Sequence, residues 1–235
     1  MRTPFYKTRR FLRPTKRLLY VTLLLSLVFF SFFFSACKKS KINYFSYVSE
    51  LRSNIFYAET DGFSLRIFAT EKEYPYSSDG VKRDTSVRTE IYLFAPSGDK
   101  TTAISFSIDE TPYGGEMSYD NVKAEYYYSC TLDVSALSQI DCVIDYGGKT
   151  LEFCAQSVKT ENTLTPQTVI EKLQESESEL LASLTDKYGF AGEIYVRLLY
   201  EDFPYYYIGV IDRNGNTTAF LMNGETGKIL AKRQS

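Results

Sequence analysis

Histidine is absent from all 235 residues. Nucleophilic catalysis through Ser-His-Asp or Cys-His, zinc sites built on imidazole, and imidazole pH switching are therefore excluded. Carboxylate and Ser-Lys chemistry are not excluded, and the chain carries Cys37, Cys130, Cys142 and Cys154 together with many scattered carboxylates. No carboxylate pair is singled out as a glycosidase dyad. The last three cysteines are spaced too widely for a zinc knuckle, no Cys-x-x-Cys redox pair occurs, and an odd set of three allows at most one bridge. Cys142 and Cys154 flank Gly147-Gly148. A three-residue hairpin loop sets them opposite each other and a two-residue loop puts them out of register, so the disulfide stays open. Asp212-Arg213-Asn214-Gly215-Asn216 lacks the spacing of a calcium loop and reads as a tight turn. No cofactor or metal is expected.

Tyrosine (20) and phenylalanine (17) are abundant, and tryptophan is absent. Consecutive residues of a strand point to opposite faces, so the triplets Tyr126-Tyr127-Tyr128 and Tyr205-Tyr206-Tyr207 each put a ring outside unless both faces are covered. Tyr74-Pro75-Tyr76 sits in a charged loop with Glu71, Glu73, Asp79, Lys82, Arg83 and Asp84. Tyr74, Tyr76, Tyr126, Tyr128, Tyr205 and Tyr207 form the candidate surface for a partner or for stacked sugars. The plainer account is that tyrosine suits half-buried strands, with an apolar ring and a wettable tip.

Seven bases and no acid precede an apolar run over residues 18–37, LLYVTLLLSLVFFSFFFSAC. Positive charge ahead of such a run holds that side in the cytoplasm and sends the remainder outward. The run ends on Phe34-Ser35-Ala36-Cys37, which resembles the lipobox of bacterial lipoproteins; Phe34 stands where leucine is usual. The resemblance implies cleavage before Cys37, with diacylglyceryl and palmitate attachment to that residue. The alternative is an uncleaved signal anchor, and both place the rest of the chain outside the membrane. Beyond Cys37 there are 20 bases against 29 acids, net −9. An acidic body argues against nucleic acid as a partner.

After a tether at 38–43, short alternating segments and turn residues recur about every ten residues up to 160. Asp61-Gly62, Pro96-Ser97-Gly98-Asp99 and Gly147-Gly148 mark hairpins. The pattern predicts a β-rich domain over 44–160, of sandwich or half-barrel type. Following a linker at 161–165, Thr165 and Pro166 cap a helix predicted to run to 188. Strands are predicted over 193–201, 205–212, 216–222 and 228–232. The expected fold is mostly β with an α+β part: a β-sandwich-like N-terminal domain, and a C-terminal helix on a three- to four-stranded antiparallel sheet over 166–235.

Within that last segment, Tyr207-Ile208-Gly209-Val210-Ile211-Asp212-Arg213-Asn214-Gly215-Asn216, continuing through Phe220 to Leu230 with Thr226-Gly227-Lys228-Ile229-Leu230, resembles the PepSY-type repeat. Asn223 stands where an acidic residue is common. The resemblance covers residues 166–232 and implies a small secreted or membrane-attached module that binds or inhibits envelope proteases and is not an enzyme.

Together these readings describe a lipid-anchored, extracytoplasmic, non-catalytic protein that binds an envelope protein or peptide. The alternative is a glycan or small-ligand binder that uses the tyrosine-rich strands. Intact mass of the membrane-extracted protein tests the anchor: an N-terminus at Cys37 with added acyl mass is expected, and Cys37→Ala should remain unprocessed and lipid-free. A wild-type chain that begins at Met1 without acyl mass overturns the lipobox reading.

Overall fold

In–out alternation, clearest along Gln139–Tyr146 and Lys149–Ser157, determines how the N-terminal strands pack. The computed structural model describes residues 42–75, 77 and 79–234; the expectations for Cys37 and Tyr76 lie outside the described residues. A 3₁₀ turn at Tyr44–Tyr47 leads into nine strands: β1 Val48–Thr60, β2 Phe63–Glu73, β3 Thr85–Phe94, β4 Thr102–Ile108, β5 Thr111–Glu116, β6 Ser118–Asp120, β7 Glu125–Cys130, β8 Gln139–Tyr146 and β9 Lys149–Ser157. Two short helices follow, α1 Pro166–Ser176 and α2 Ser178–Ser183. The chain ends with a small hairpin, β10 Thr185–Asp186 and β11 Gly189–Phe190, and then β12 Gly192–Tyr200, β13 Pro204–Asp212, β14 Thr217–Asn223 and β15 Ile229–Gln234.

The first nine strands curl into a nearly closed antiparallel ring. Its order is β1, β2, β3, β7, β6, then β5, β4, β8, β9 and back to β1. β5 and β6 are separated only by Met117, whose N–H donates to Thr102 O at 2.8 Å, so they act as one bent strand shared by β4 and β7. Gly114 permits this bend: a Cβ there would stand 2.2 Å from the Ile104 carbonyl oxygen. Ile140, Cys142 and Ile144 on β8 alternate inward with Leu151, Phe153 and Ala155 on β9, and meet Phe56, Leu65, Ile67, Ile91 and Leu93. The ring is thus filled by side chains, each large one contributing about 1.5–3 kcal/mol by leaving water.

β1 belongs to two systems. One edge is occupied along its length by β2. The other edge carries β12, parallel, from Val48↔Ile194 to Arg52↔Arg197, and then β9, antiparallel, at Phe56↔Ser157 and Tyr57↔Gln156. Asn54 pins the hand-over. Its side-chain amide donates to the Ser135 and Leu137 carbonyls (both 3.2 Å), and its oxygen accepts from Ser157 Oγ (2.8 Å). Beyond β12 the sheet continues through β13, β14 and β15. α1 and α2 cover one face of this extension, with Val169, Ile170, Leu173 and Leu181 set against Ile194, Val196, Ile208 and Phe220.

The expected fold class is corrected on three points. The N-terminal strands form a barrel-like ring and not a sandwich, because the bent β5–β6 strand joins what would have been two sheets. The C-terminal strands are not a separate small sheet carrying a helix; the parallel β1–β12 ladder makes them part of one thirteen-stranded sheet. The single helix predicted to 188 is two helices, broken where Glu177 adopts φ −124° and ψ 36°. Its start agrees with expectation, with Thr165 Oγ accepting from Thr168 N–H and Pro166 in the first turn.

Where β1 first meets β12, Glu193 is 0 % exposed and Glu73 is 1 % exposed. Both Glu193 carboxylate oxygens and Ser49 Oγ are buried without a hydrogen-bond partner among the described residues. Burial, reinforced by the negative charges of Glu73 and Asp79, raises the Glu193 pKa; the nearby Ser49 hydroxyl and Gly80 N–H oppose this only in part. The loop above is held close: Gly80 has φ +73°, and a Cβ there would lie 2.4 Å from the Asp212 carbonyl oxygen. A carboxylate whose folded pKa exceeds the ordinary 4.5 stabilises the fold below 4.5 and loses that contribution as pH rises through its raised value. Glu193→Gln is therefore expected to match wild type in acid and to exceed it above neutrality by about 1–3 kcal/mol in urea unfolding. A constant difference across pH would show that Glu193 does not titrate in the folded state.

Candidate functional site

Because β1 gives up β12 after Arg52 while β12 runs on to Tyr200, the two systems splay apart. A groove of roughly 920 Å3 opens at that point. Its barrel side is formed by Arg52, Ile55 and Tyr57 of β1 and by Arg66 and Phe68 of β2; its other side is formed by Leu199, Tyr200, Glu201, Tyr205, Leu221 and Leu230. Alternation explains the second set. Tyr206 points to the helices, fully buried with its hydroxyl donating to Leu164 O at 2.7 Å, so Tyr205 and Tyr207 point the other way.

Three guanidinium groups shape this face. Arg197 makes a bidentate pair with Glu50, Nε to Oε1 at 2.8 Å and Nη2 to Oε2 at 2.6 Å. Arg66 reaches Glu125 at 3.0 Å. Arg52 differs. It stacks on Phe68 with its guanidinium carbon 4.1 Å from the ring centroid. Its Nε is buried without a hydrogen bond, and among the described residues no carboxylate lies within ion-pair distance. The carboxylates that attract it, Glu50 and Glu90, are already engaged by Arg197 and Lys72. Burial first, and then the Arg197 charge, lower the Arg52 pKa. A guanidinium nevertheless remains charged in proteins, so Arg52 is a cation without an ion pair among the described residues, as Glu201 across the groove is an acid without one.

The five described tyrosines of the six expected to form a partner surface are not brought together. Tyr205 lines the groove, and Tyr207 lines an adjoining depression with Tyr195, Arg197 and Arg233. Tyr126 is 1 % exposed inside the barrel, its hydroxyl donating to Lys100 O at 2.8 Å. Tyr128 is half-buried and donates to Gly114 O at 3.1 Å. Tyr126 is thereby corrected from a surface to a structural role, whereas Tyr128 stays partly exposed. Tyr74 is exposed under the Arg88 guanidinium, 5.1 Å from its ring, and Tyr76 lies outside the described residues. Arg52, Phe68 and Leu199 drew no attention in the sequence. Nothing local marks them, because their neighbours come from strands distant along the chain.

Comparison with models of protein families, with curated protein sequences and with solved structures finds no match.

A second depression, on the outside of the barrel, includes Asp141, Glu152 and Cys154. It does not activate a nucleophile. The Asp141 carboxylate beside Cys154 raises the thiol pKa, whereas a reactive thiolate needs it lowered. Among the described residues no group of three or more cysteine or acidic side chains is placed to hold a metal ion. The β8–β9 loop has two residues, with Tyr146 opposite Lys149, so Cys142 faces Phe153 and Cys154 faces Asp141. The two thiols point to opposite faces and both are free, as is Cys130. Burial pushes Cys142 up to about 12. Alkylation of the native protein followed by peptide mapping should modify Cys154 first and Cys142 only on unfolding. A Cys142–Cys154 cross-linked peptide overturns this register.

Proposed function

We propose that this chain is a membrane-attached, extracytoplasmic binding protein without catalytic activity, and that its groove receives an extended segment of an envelope protein or peptide. The observation that carries this reading is the opening between β1 and β12, a partly apolar concavity with aromatic walls and a few placed charges, as ligand sites commonly are. The basic lead and Cys37 favour attachment at the outer face of the membrane, and the PepSY resemblance over 166–232 favours a protein partner. The chain's lack of histidine removes the commonest hydrolytic machineries.

A glycan reading draws on the outward rings of Tyr205 and Tyr207, which offer stacking faces. The two readings separate in living cells. A photo-reactive phenylalanine analogue placed at Tyr205 is expected to cross-link an envelope polypeptide. The same group at Val122, which is 95 % exposed and not part of the groove lining, should give no such adduct. Wall-glycan adducts at Tyr205 favour the second reading. Adducts equal to those at Val122 remove both.

A further inference from the structure

We propose that the groove selects a peptide bearing a carboxylate, with Arg52 as its receptor. This rests on the peptide-binding reading above and names the chemistry that the site recognises.

The charge balance of the face points to the ligand. Both Glu50 oxygens accept from Arg197 and Glu90 pairs with Lys72, so the two acids nearest Arg52 already have cations of their own. Contact with the Phe68 ring holds the guanidinium in place, and because Nε is buried, the two Nη groups are the donors a ligand would meet. That geometry suits a planar, singly charged acceptor reached by two parallel N–H···O bonds. Glu201, exposed on the other side of the groove, is a second charge without an ion pair among the described residues, so the complement sought is local to Arg52: a single negative charge. A phosphate dianion would need a second free cation, and Arg66, the other arginine of the groove, is already matched by Glu125.

The backbone favours a peptide over an acyl chain. The β1–β12 ladder ends at Arg52↔Arg197, yet β12 continues through Leu198, Leu199 and Tyr200. Along those residues β12 has β13 on one edge and, among the described residues, no strand on the other. An extended peptide entering the groove extends the sheet along this open edge, which supplies main-chain hydrogen bonds, while its carboxylate meets Arg52 where the ladder resumes. An acyl chain has no groups to use that edge.

The test uses the full chain in detergent micelles and an array of randomised nonapeptides, synthesised once with free C-termini and once as amides. Wild type is expected to select carboxylate-bearing sequences. Selection confined to the free-acid format assigns the carboxylate to the chain terminus, and selection of Asp or Glu in both formats assigns it to a side chain; either supports the proposal. Arg52→Gln should weaken binding of the selected peptides at least about tenfold, and Arg52→Lys should restore only part of it, because ammonium lacks the fork. Arg52→Gln should still be fully folded at the assay temperature by circular dichroism, since no ion pair is lost, so that weaker binding does not reflect unfolding. Peptides that bind without carboxylate preference, lose affinity on Leu199→Asp and ignore Arg52→Gln overturn the proposal but leave the peptide site standing. No binding to any peptide overturns both, and Arg52-dependent binding of long-chain fatty acids instead would replace the partner class.

Discussion

A strand has two edges, and at any level each edge holds one neighbour. β1 meets this constraint by keeping β2 on one edge while its other edge passes from β12 to β9 between Arg52 and Phe56. Everything else in the described chain depends on that hand-over. It lets a filled barrel and a helix-covered sheet share one backbone without a flexible joint. It also leaves β12 running on past its pairing with β1, where the groove opens. The gap cannot be left unsatisfied, and Asn54, 1 % exposed, occupies it with hydrogen bonds to the 135–137 connection and to Ser157. Val158 N–H adds a bond to Ile55 O at 2.9 Å.

Two buried electrostatic irregularities lie near this shared strand, and they have opposite sign. On one side Glu193 and Glu73 are withdrawn from water without matching cations close enough to neutralise both. On the other, Arg52 is stacked and partly buried without a carboxylate of its own. Uncompensated buried groups are costly, and in folded proteins they concentrate where structure serves something besides stability. The chain after Cys37 is acidic overall, so the local positive site at Arg52 stands out against its background and would attract an anionic group.

Much of the local structure was legible in the residues. Asp61-Gly62 forms the positive-φ turn of a hairpin, with φ +48° and +80°. The alternation in β8 and β9 marked their inward faces, and Thr165-Pro166 marked the helix start. Gly147-Gly148 announced a hairpin but not its register, and the register alone separates Cys142 from Cys154. The tyrosine triplets announced alternation but not its phase. In one triplet the central ring, Tyr206, is buried; in the other Tyr126 is buried and Tyr127 packs outside on Tyr92 at 5.1 Å. Phase follows from what lies on each face, which is non-local information.

By itself, the sequence determined the chain's chemical limits and its local grammar. The absence of imidazole, the apolar lead ending at Cys37, the acidic body, the turns and most strand segments follow from residue type and from spacing within about ten positions. The tertiary structure decided which strands are neighbours, that the ring closes through Met117, and that β12 joins β1 in parallel. It also decided that Glu50 is committed to Arg197, 147 residues away, leaving Arg52 unmatched. The physical reason is the same in each case. Main-chain hydrogen bonding makes any two strand edges compatible, so pairing is chosen by the burial of whole faces and by ion pairs across the fold, and neither is written in any short stretch of the chain.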